Sequence, residues 1–138
     1  MIKEIFMAAA ACAIIKPAFA GEIMKIQING TEYLVQTDDN ETVGDIMANA
    51  PVVLDLSRYA GHEYTAALPF SPRDSGTHTS HLLPGHVYWW GMGNSFVINF
   101  ADYDIAPYKN VHIGRITDAT VTDVLQNAGD TISIKVIK

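Results

Sequence analysis

The sequence is poor in cysteine and in basic side chains. Its 138 residues include one cysteine, Cys12, so no disulfide can form within the chain, and the fold has to be held together by its core. Lys and Arg number 9 against 15 Asp and Glu, which gives a formal net charge of -6. Binding to nucleic acid or to anionic lipid requires clustered positive charge, so we expect neither nucleic acid nor a membrane surface as a partner.

No hydrophobic run is long enough to span a bilayer. The apolar stretch over residues 5–15 is shorter than the roughly 20 residues that a spanning helix needs. It follows the positively charged Lys3 and precedes Ala18-Phe19-Ala20, a small-x-small pattern that suits signal peptidase. The sequence therefore predicts a cleavable signal peptide at residues 1–20 and a periplasmic or secreted protein.

Two alternatives for the N-terminus are a transmembrane anchor and lipoprotein processing at Cys12. The length of the apolar run argues against the anchor, and the residues before Cys12 lack the usual large aliphatic side chain three positions earlier. Cleavage after Ala20 would remove Cys12 together with two basic residues and one acidic residue. The product is a cysteine-free and more acidic chain over residues 21–138, which is long enough for one domain and too short for two.

Hydrophobic alternation predicts a mainly β domain. Residues 22–28 and 31–37 form the clearest hairpin, because Asn29-Gly30 is suited to a two-residue turn. Further strands are predicted at residues 52–58, 64–68, 85–90, 95–100, 111–116 and 131–137. Two short helices are predicted, one at 121–127 and one that begins with a capping box, Thr42-Val43-Gly44-Asp45. Many short strands without a crossover helix favour a closed or nearly closed β-barrel.

The order of several segments matches one fold family. After the hairpin and the capped helix ending in Asn49-Ala50-Pro51 come a loop opening with Leu68-Pro69, the segment Pro84-Gly85-His86-Val87-Tyr88-Trp89-Trp90, the strand 95–100 and the motif His112-Ile113-Gly114-Arg115-Ile116. In this order the chain resembles the bacterial cyclophilin-like fold family over nearly all of residues 22–138. The resemblance implies a cyclophilin-like β-barrel of about eight strands with two short helices, and it implies a fold more than an activity.

Two motifs of true prolyl isomerases are missing from the sequence. Those enzymes carry an arginine within Phe-His-Arg and a later Gln-Gly-Gly-Asp stretch, and neither is present here. Peptidyl-prolyl cis-trans isomerase activity is therefore an alternative, with Arg73 as the candidate donor to the proline nitrogen. The missing motifs do not argue against peptide binding, so a binding role without catalysis is the main expectation.

Aromatic side chains suggest where a ligand binds. Along Val87-Tyr88-Trp89-Trp90, alternate residues face opposite sides of the strand, so one pair should fill the barrel and the other should lie outside it or under a loop. Exposed aromatic and methionine surface beside the long loop of residues 69–84 is typical of a binding groove. The candidate ligand-binding residues are Tyr64, Phe70, Arg73, Trp90, Met92 and Asn94, with Tyr103 nearby. The expected ligand is a peptide or small molecule, with no cofactor; the alternative is that these rings only close the barrel.

Histidines provide the remaining candidate chemistry. His78, His81 and His86 place three imidazoles within nine residues, with His62 as a possible neighbour. A His-based metal-binding domain is a second alternative, because imidazole binds zinc and copper. The spacing matches no strong metal signature, so we expect solvated histidines and no metal. We also expect no catalytic residues, and we expect Arg115 to pair with Asp118 or Asp123.

Overall fold

The computed structural model describes residues 23–138, and the predicted signal peptide at residues 1–20 lies outside this range. The elements are β1 (Ile23–Ile28), β2 (Thr31–Thr37), α1 (Glu41–Ala48), β3 (Val52–Tyr59), β4 (Glu63–Ala67), β5 (His78–Thr79), β6 (His81–Leu82), β7 (His86–Trp90), β8 (Ser95–Asn99), β9 (Tyr103–Asp104), β10 (Asn110–Ile116), α2 (Val121–Gln126) and β11 (Thr131–Ile137). Neither helix in residues 23–138 has the length and apolar character needed to cross a membrane.

Eight strands form a closed antiparallel barrel. Their order around the barrel is β2-β1-β11-β3-β4-β8-β7-β10. The last strand, β10, closes the barrel by pairing with the first, β2, through Gly114↔Thr37, Arg115↔Gln36 and Ile116↔Val35. The short strand β5 pairs with the beginning of β10, and β6 pairs with β9 in a separate two-stranded sheet. The predicted fold class, a mainly β closed barrel of about eight strands with two short helices, is confirmed.

The core follows from the period-two pattern of the strands. In β11 the residues Ile132, Ile134 and Val136 are buried while their neighbours are exposed, and β1 shows the same alternation. Alternate side chains point to opposite faces of a strand, so each apolar row enters the barrel. The prediction for β7 is confirmed as well, because Val87 and Trp89 belong to the main core whereas Tyr88 packs in a smaller cluster and Trp90 is exposed.

The start of α1 differs from the predicted capping box. The N-cap is Asn40, whose side-chain oxygen accepts a hydrogen bond from the Val43 backbone N–H at 2.8 Å. Thr42 lies inside the first turn and is fully buried, and its hydroxyl group contacts the backbone of Arg73 and Ser75. The capping-box prediction was wrong, because the Thr42 hydroxyl group is hydrogen-bonded to the long loop of residues 69–84 and does not cap the helix itself.

Candidate functional site

Four exposed aromatic side chains surround one groove, which we call the aromatic groove. Its rings are those of Tyr59, Trp90, Tyr103 and Tyr108, and its volume is about 620 Å³. The rings come from the end of β3, the end of β7 and the segment between β8 and β10. Strand pairing therefore assembles a surface from residues that are far apart in the sequence.

Buried polar groups line the groove between these rings. The His62 ring stacks on the Tyr103 ring with centroids 3.9 Å apart, and its Nδ1 lies 3.0 Å from Oδ1 of Asn99. The same Nδ1 lies 3.4 Å from Oε1 of Glu63. Burial raises the pKa of Glu63 to about 7, because a low-dielectric environment disfavours the charged carboxylate. The groove thus contains a carboxyl group that gains or loses its proton near neutral pH.

Asn110 lines the groove and carries an unsatisfied acceptor that is itself buried. The residue lines the cavity, is 3% exposed, and its Oδ1 is buried without a hydrogen-bond partner. No other buried side-chain nitrogen or oxygen in the described part of the chain lacks a partner. Leaving such an acceptor unpaired costs about 1–3 kcal/mol, and because the atom is buried, a ligand in the groove cannot reach it without a movement of the side chain.

Of the six predicted ligand-binding residues, Trp90 alone lines the aromatic groove. Tyr64 is fully buried and forms part of the core. Met92 is 76% exposed but does not line the groove. Asn94 accepts a hydrogen bond from the Trp89 indole N–H at 3.0 Å and donates one to the Phe70 carbonyl oxygen at 2.8 Å. Asn94 therefore holds the loop that carries Phe70, and Phe70 packs against the core.

Arg73 is held by two carboxylates of α1. Its guanidinium group contacts Asp45 at 2.9 Å and Glu41 at 2.9 Å. The hydrogen bonds from the side chain and backbone of Arg73 lower the pKa of Asp45 to about 2. Arg73 does not line the aromatic groove. Its contacts with Asp45 and Glu41 hold the long loop against α1, and they do not make it a donor to a ligand in the groove.

The three candidate metal-binding histidines have separate partners. His78 Nε2 lies 2.7 Å from Asp74 Oδ1, and His81 Nε2 lies 2.7 Å from Asp102 Oδ1. His86 instead contacts His112. Within residues 23–138, no group of three or more His, Cys, Asp or Glu side chains is arranged to hold a metal ion. His62 lies in the aromatic groove and not beside these three.

A second cavity contains His86 and is lined mainly by polar residues; we call it the polar pocket. Its volume is about 490 Å³. Its lining residues are Gln36, Thr37, Asp38, Asp39, Asn40, Gly76, Thr77, His86, His112 and Arg115. Arg115 contacts Oε1 of Gln36 at 3.4 Å. The predicted pairing of Arg115 with Asp118 or Asp123 was wrong, since Asp118 instead accepts hydrogen bonds from Thr120 at the start of α2.

Comparisons with known proteins agree with this architecture. The family model described as the cyclophilin-like family matches residues 26–136, which include all eight barrel strands at least in part. The chain belongs to the cyclophilin-like family. This cyclophilin-like chain is also similar to a hypothetical protein from Archaeoglobus fulgidus, whose solution structure aligns with a TM-score of 0.60 at 17% sequence identity. That alignment covers 86% of this chain and 95% of the archaeal one, and at this identity it supports the fold alone. Comparison with curated proteins gives no match.

Sequence reasoning missed most of the groove. Trp90 and the neighbouring Tyr103 were identified, but Tyr59, Tyr108 and Asn110 were not. The segment of residues 101–108 has no strand or helix pattern, and Asn110 reads as an ordinary residue before a strand. One signal was available in the sequence. Two tyrosines, Tyr103 and Tyr108, lie in an irregular, proline-containing segment, and aromatic residues in such a loop indicate a binding surface more than a simple connection between strands.

Proposed function

We propose that this cyclophilin-like domain binds a peptide or small organic molecule in the aromatic groove, without catalysing a reaction on it. The observation that carries this proposal is the cluster of four exposed aromatic rings that border one groove, together with the acidic side chains of Glu63 and Asp104 in its lining. Exposed aromatic surface supplies apolar contact area, and a small number of polar groups fix the orientation of a ligand.

The polar groups of the groove indicate the chemistry of the ligand. The carboxyl groups of Glu63 and Asp104 offer acceptor oxygens, and neither lysine nor arginine lines the groove in the described structure. A ligand with N–H donors, such as a peptide amide or an ammonium group, complements these acceptors. An ammonium group would also be attracted to the faces of the surrounding rings.

The test uses a short peptide amide that contains an Ala-Pro bond and a free N-terminal amine. We expect the indole N–H signal of Trp90 to shift in NMR spectra as the peptide is added. The indole N–H signal of Trp89 is an internal reference, because it is hydrogen-bonded to Asn94 away from the groove. Absence of a change at Trp90 up to millimolar peptide would count against peptide binding, and a panel of organic amines would then test the small-molecule form of the proposal.

Two exposed residues provide a matched pair of variants. Tyr108→Ala removes a ring of the groove and should weaken peptide binding several-fold, whereas Met92→Ala removes a more exposed side chain outside the groove and should not. Equal weakening in both variants would contradict the location of the site.

The same peptide tests for catalysis. NMR exchange spectroscopy reports the rate of cis-trans exchange at its Ala-Pro bond, whose uncatalysed barrier is about 18–20 kcal/mol. We expect exchange at the uncatalysed rate, because Arg73, the candidate isomerase residue, is engaged with Glu41 and Asp45. Acceleration by the domain would overturn the non-catalytic part of the proposal and leave the location of the groove intact.

We also propose that the chain is exported and loses residues 1–20. The support is the order of positive charge, apolar run and Ala18-Phe19-Ala20 in the sequence. N-terminal sequencing of the protein expressed from residues 1–138 in a bacterial host should give Gly21 as the first residue. An intact N-terminus on the accumulated protein would contradict the proposal.

A further inference from the structure

A chain of three side chains runs along one side of the polar pocket. Asp38 Oδ2 lies 2.7 Å from His112 Nδ1, and His112 Nε2 lies 2.8 Å from His86 Nδ1. His112 and His86 are half-buried, on β10 and β7, and Asp38 directly follows β2. The three groups thus connect three strands of the barrel, and they are separate from the aromatic groove.

The hydrogen-bond geometry restricts where the protons sit. The Asp38 carboxylate accepts only, so Nδ1 of His112 carries a hydrogen, and the 2.8 Å contact between the rings needs one hydrogen between its two nitrogens. With the ring pair neutral, no hydrogen is left for Nε2 of His86. With one more proton on the pair, three hydrogens occupy four nitrogens, and the one bare nitrogen is at the contact between the rings. His86 Nε2 is then an N–H donor.

Arg115 stands directly across from His86. The two residues are partners in the antiparallel pairing of β10 with β7, so their side chains leave the same face of the sheet. Arg115 lacks a carboxylate partner among residues 23–138, and its one hydrogen bond is the long contact with Gln36. In the described structure, Nε2 of His86 has no hydrogen-bond partner.

We propose that the polar pocket binds a small oxyanion of the carboxylate or sulfate type between Arg115 and Nε2 of His86, with uptake of one proton by the His86–His112 pair. A guanidinium group and a protonated imidazole edge are the donors that suit such an anion. The proton is needed because the bare Nε2 of the neutral pair would present a lone pair to the anion. Binding and protonation therefore favour each other.

The other charged groups around His86 set the state of the empty pocket. His112 and Arg115 face it from β10 and Asp38 faces it from the segment after β2, while Asp39 lies exposed at the rim and Tyr88 is the titratable neighbour on β7. Burial first, and then repulsion from any extra proton held by His112 and from the positive charge of Arg115, lower the pKa of His86 to about 4. His86 is thus neutral in the empty pocket at pH 7, its Nε2 is bare while His112 is neutral as well, and an anion beside His86 raises its pKa.

The proposed coupling has a definite sign. Between the pKa of the empty site and the higher pKa of the occupied site, the anion brings one proton with it. In that window the affinity falls about tenfold for each unit by which the pH rises. Above the window the affinity no longer depends on the protonation of the ring pair, and only the contact with Arg115 is left.

The test follows the side-chain ¹⁵N signals of His86 in the purified full chain as the pH changes. Sodium sulfate and sodium acetate are compared with sodium chloride at equal ionic strength. We expect sulfate, acetate or both to raise the pKa of His86 by about 1 or more relative to chloride. An effect of acetate alone would assign the pocket to planar carboxylates, and an effect of sulfate alone would assign it to tetrahedral anions.

Two arginine variants locate the effect. Arg115→Gln removes the proposed anchor from an exposed position, and it should abolish the rise in the pKa of His86. Arg73→Gln removes another exposed arginine, one that is engaged with Asp45 and Glu41, and it should leave the rise intact. The same pKa in all three salts, or the same response in both variants, would overturn the proposal.

Discussion

The hydroxyl group of Tyr64 lies 2.6 Å from the carbonyl oxygen of Gly129. The ring is fully buried in the barrel, and the same hydroxyl group approaches the carbonyl oxygens of Leu125 and Ala128 at 3.1 Å. Arg58 donates a hydrogen bond to the Tyr64 hydroxyl oxygen at 2.9 Å, and its guanidinium carbon lies 4.6 Å from the centre of the Phe100 ring. This cluster attaches the end of α2 to the wall of the barrel.

We expect Tyr64→Phe to lower the free energy of unfolding by about 1–3 kcal/mol, because it removes the donor to the helix carbonyls and the acceptor for Arg58. Urea denaturation followed by circular dichroism measures this. Tyr59→Phe is the control, since Tyr59 is exposed and its hydroxyl group has no hydrogen-bond partner among residues 23–138. The role given to Tyr64 would be contradicted if the two variants lost equal stability.

Gly114 is expected to tolerate no side chain. A Cβ atom at this position would lie 2.5 Å from the Gln36 carbonyl oxygen and 2.9 Å from the Thr37 Cα atom, and both are backbone atoms of β2. Gly114→Ala would have to push β2 and β10 apart where the barrel closes. We expect it to lower the free energy of unfolding by about 1–3 kcal/mol.

A glycine in a helix gives the opposite expectation. A Cβ atom at Gly44 would meet no atom within 4 Å, and the residue lies in the middle of α1. Gly44→Ala should raise the free energy of unfolding by about 0.5–1 kcal/mol, because alanine loses less conformational entropy in a helix. Thermal and urea unfolding of both variants measure the pair, and a stabilised Gly114→Ala would show that the two strands are not in close contact.

The carboxyl group of Glu63 should make stability depend on pH. Its pKa is raised to about 7 in the folded chain, so between about 4.5 and 7 the folded state holds a proton that the unfolded state has lost. Stability therefore falls as the pH rises through this window, by up to about 3 kcal/mol. Glu63→Gln should remove this decline. The measurement is urea unfolding of both proteins at pH 5 and pH 8, and parallel stability curves would refute the assignment.

Asn94 is expected to support structure and not to bind a ligand. Its backbone φ is +48°, and its side chain joins the Trp89 indole N–H to the Phe70 carbonyl oxygen. Asn29 has a similar φ of +49°, and its exposed side chain accepts a hydrogen bond from the Ser133 backbone N–H. Asn94→Ala should therefore lower stability by about 1 kcal/mol more than Asn29→Ala, because it leaves a buried indole donor unpaired. Urea denaturation compares the two variants, and equal losses would refute this role.

The sequence was most informative where structure is local. The hairpin around Asn29-Gly30 and the closing strand at residues 131–137 were predicted to within a residue, because turn chemistry and period-two alternation are visible in short windows. The two-residue strands β5, β6 and β9 were not predicted, since each depends on a partner more than 20 residues away.

Partners of charged side chains were harder to predict for the same reason. Arg73 and Arg115 were assigned opposite roles: Arg73 was expected to contact a ligand and Arg115 to pair with a carboxylate. The structure reverses this, because Glu41 and Asp45 stand one turn apart on α1 and together face Arg73. That spacing was visible in the sequence, but the approach of the loop to the helix was not.

The closure of the barrel through only three residue pairs has a dynamic consequence. β2 pairs with β1 over six positions but with β10 over three, so transient opening between β2 and β10 breaks fewer strand-pairing interactions than opening between β2 and β1. Asp38 follows directly, with its backbone N–H bonded to the Ile113 carbonyl oxygen. We expect transient opening of this junction to separate Asp38 from His112 and to expose the amide hydrogens between β2 and β10 to exchange with solvent. Hydrogen exchange at these amides would therefore report, residue by residue, how often the hydrogen bonds that connect Asp38, His112 and His86 are interrupted.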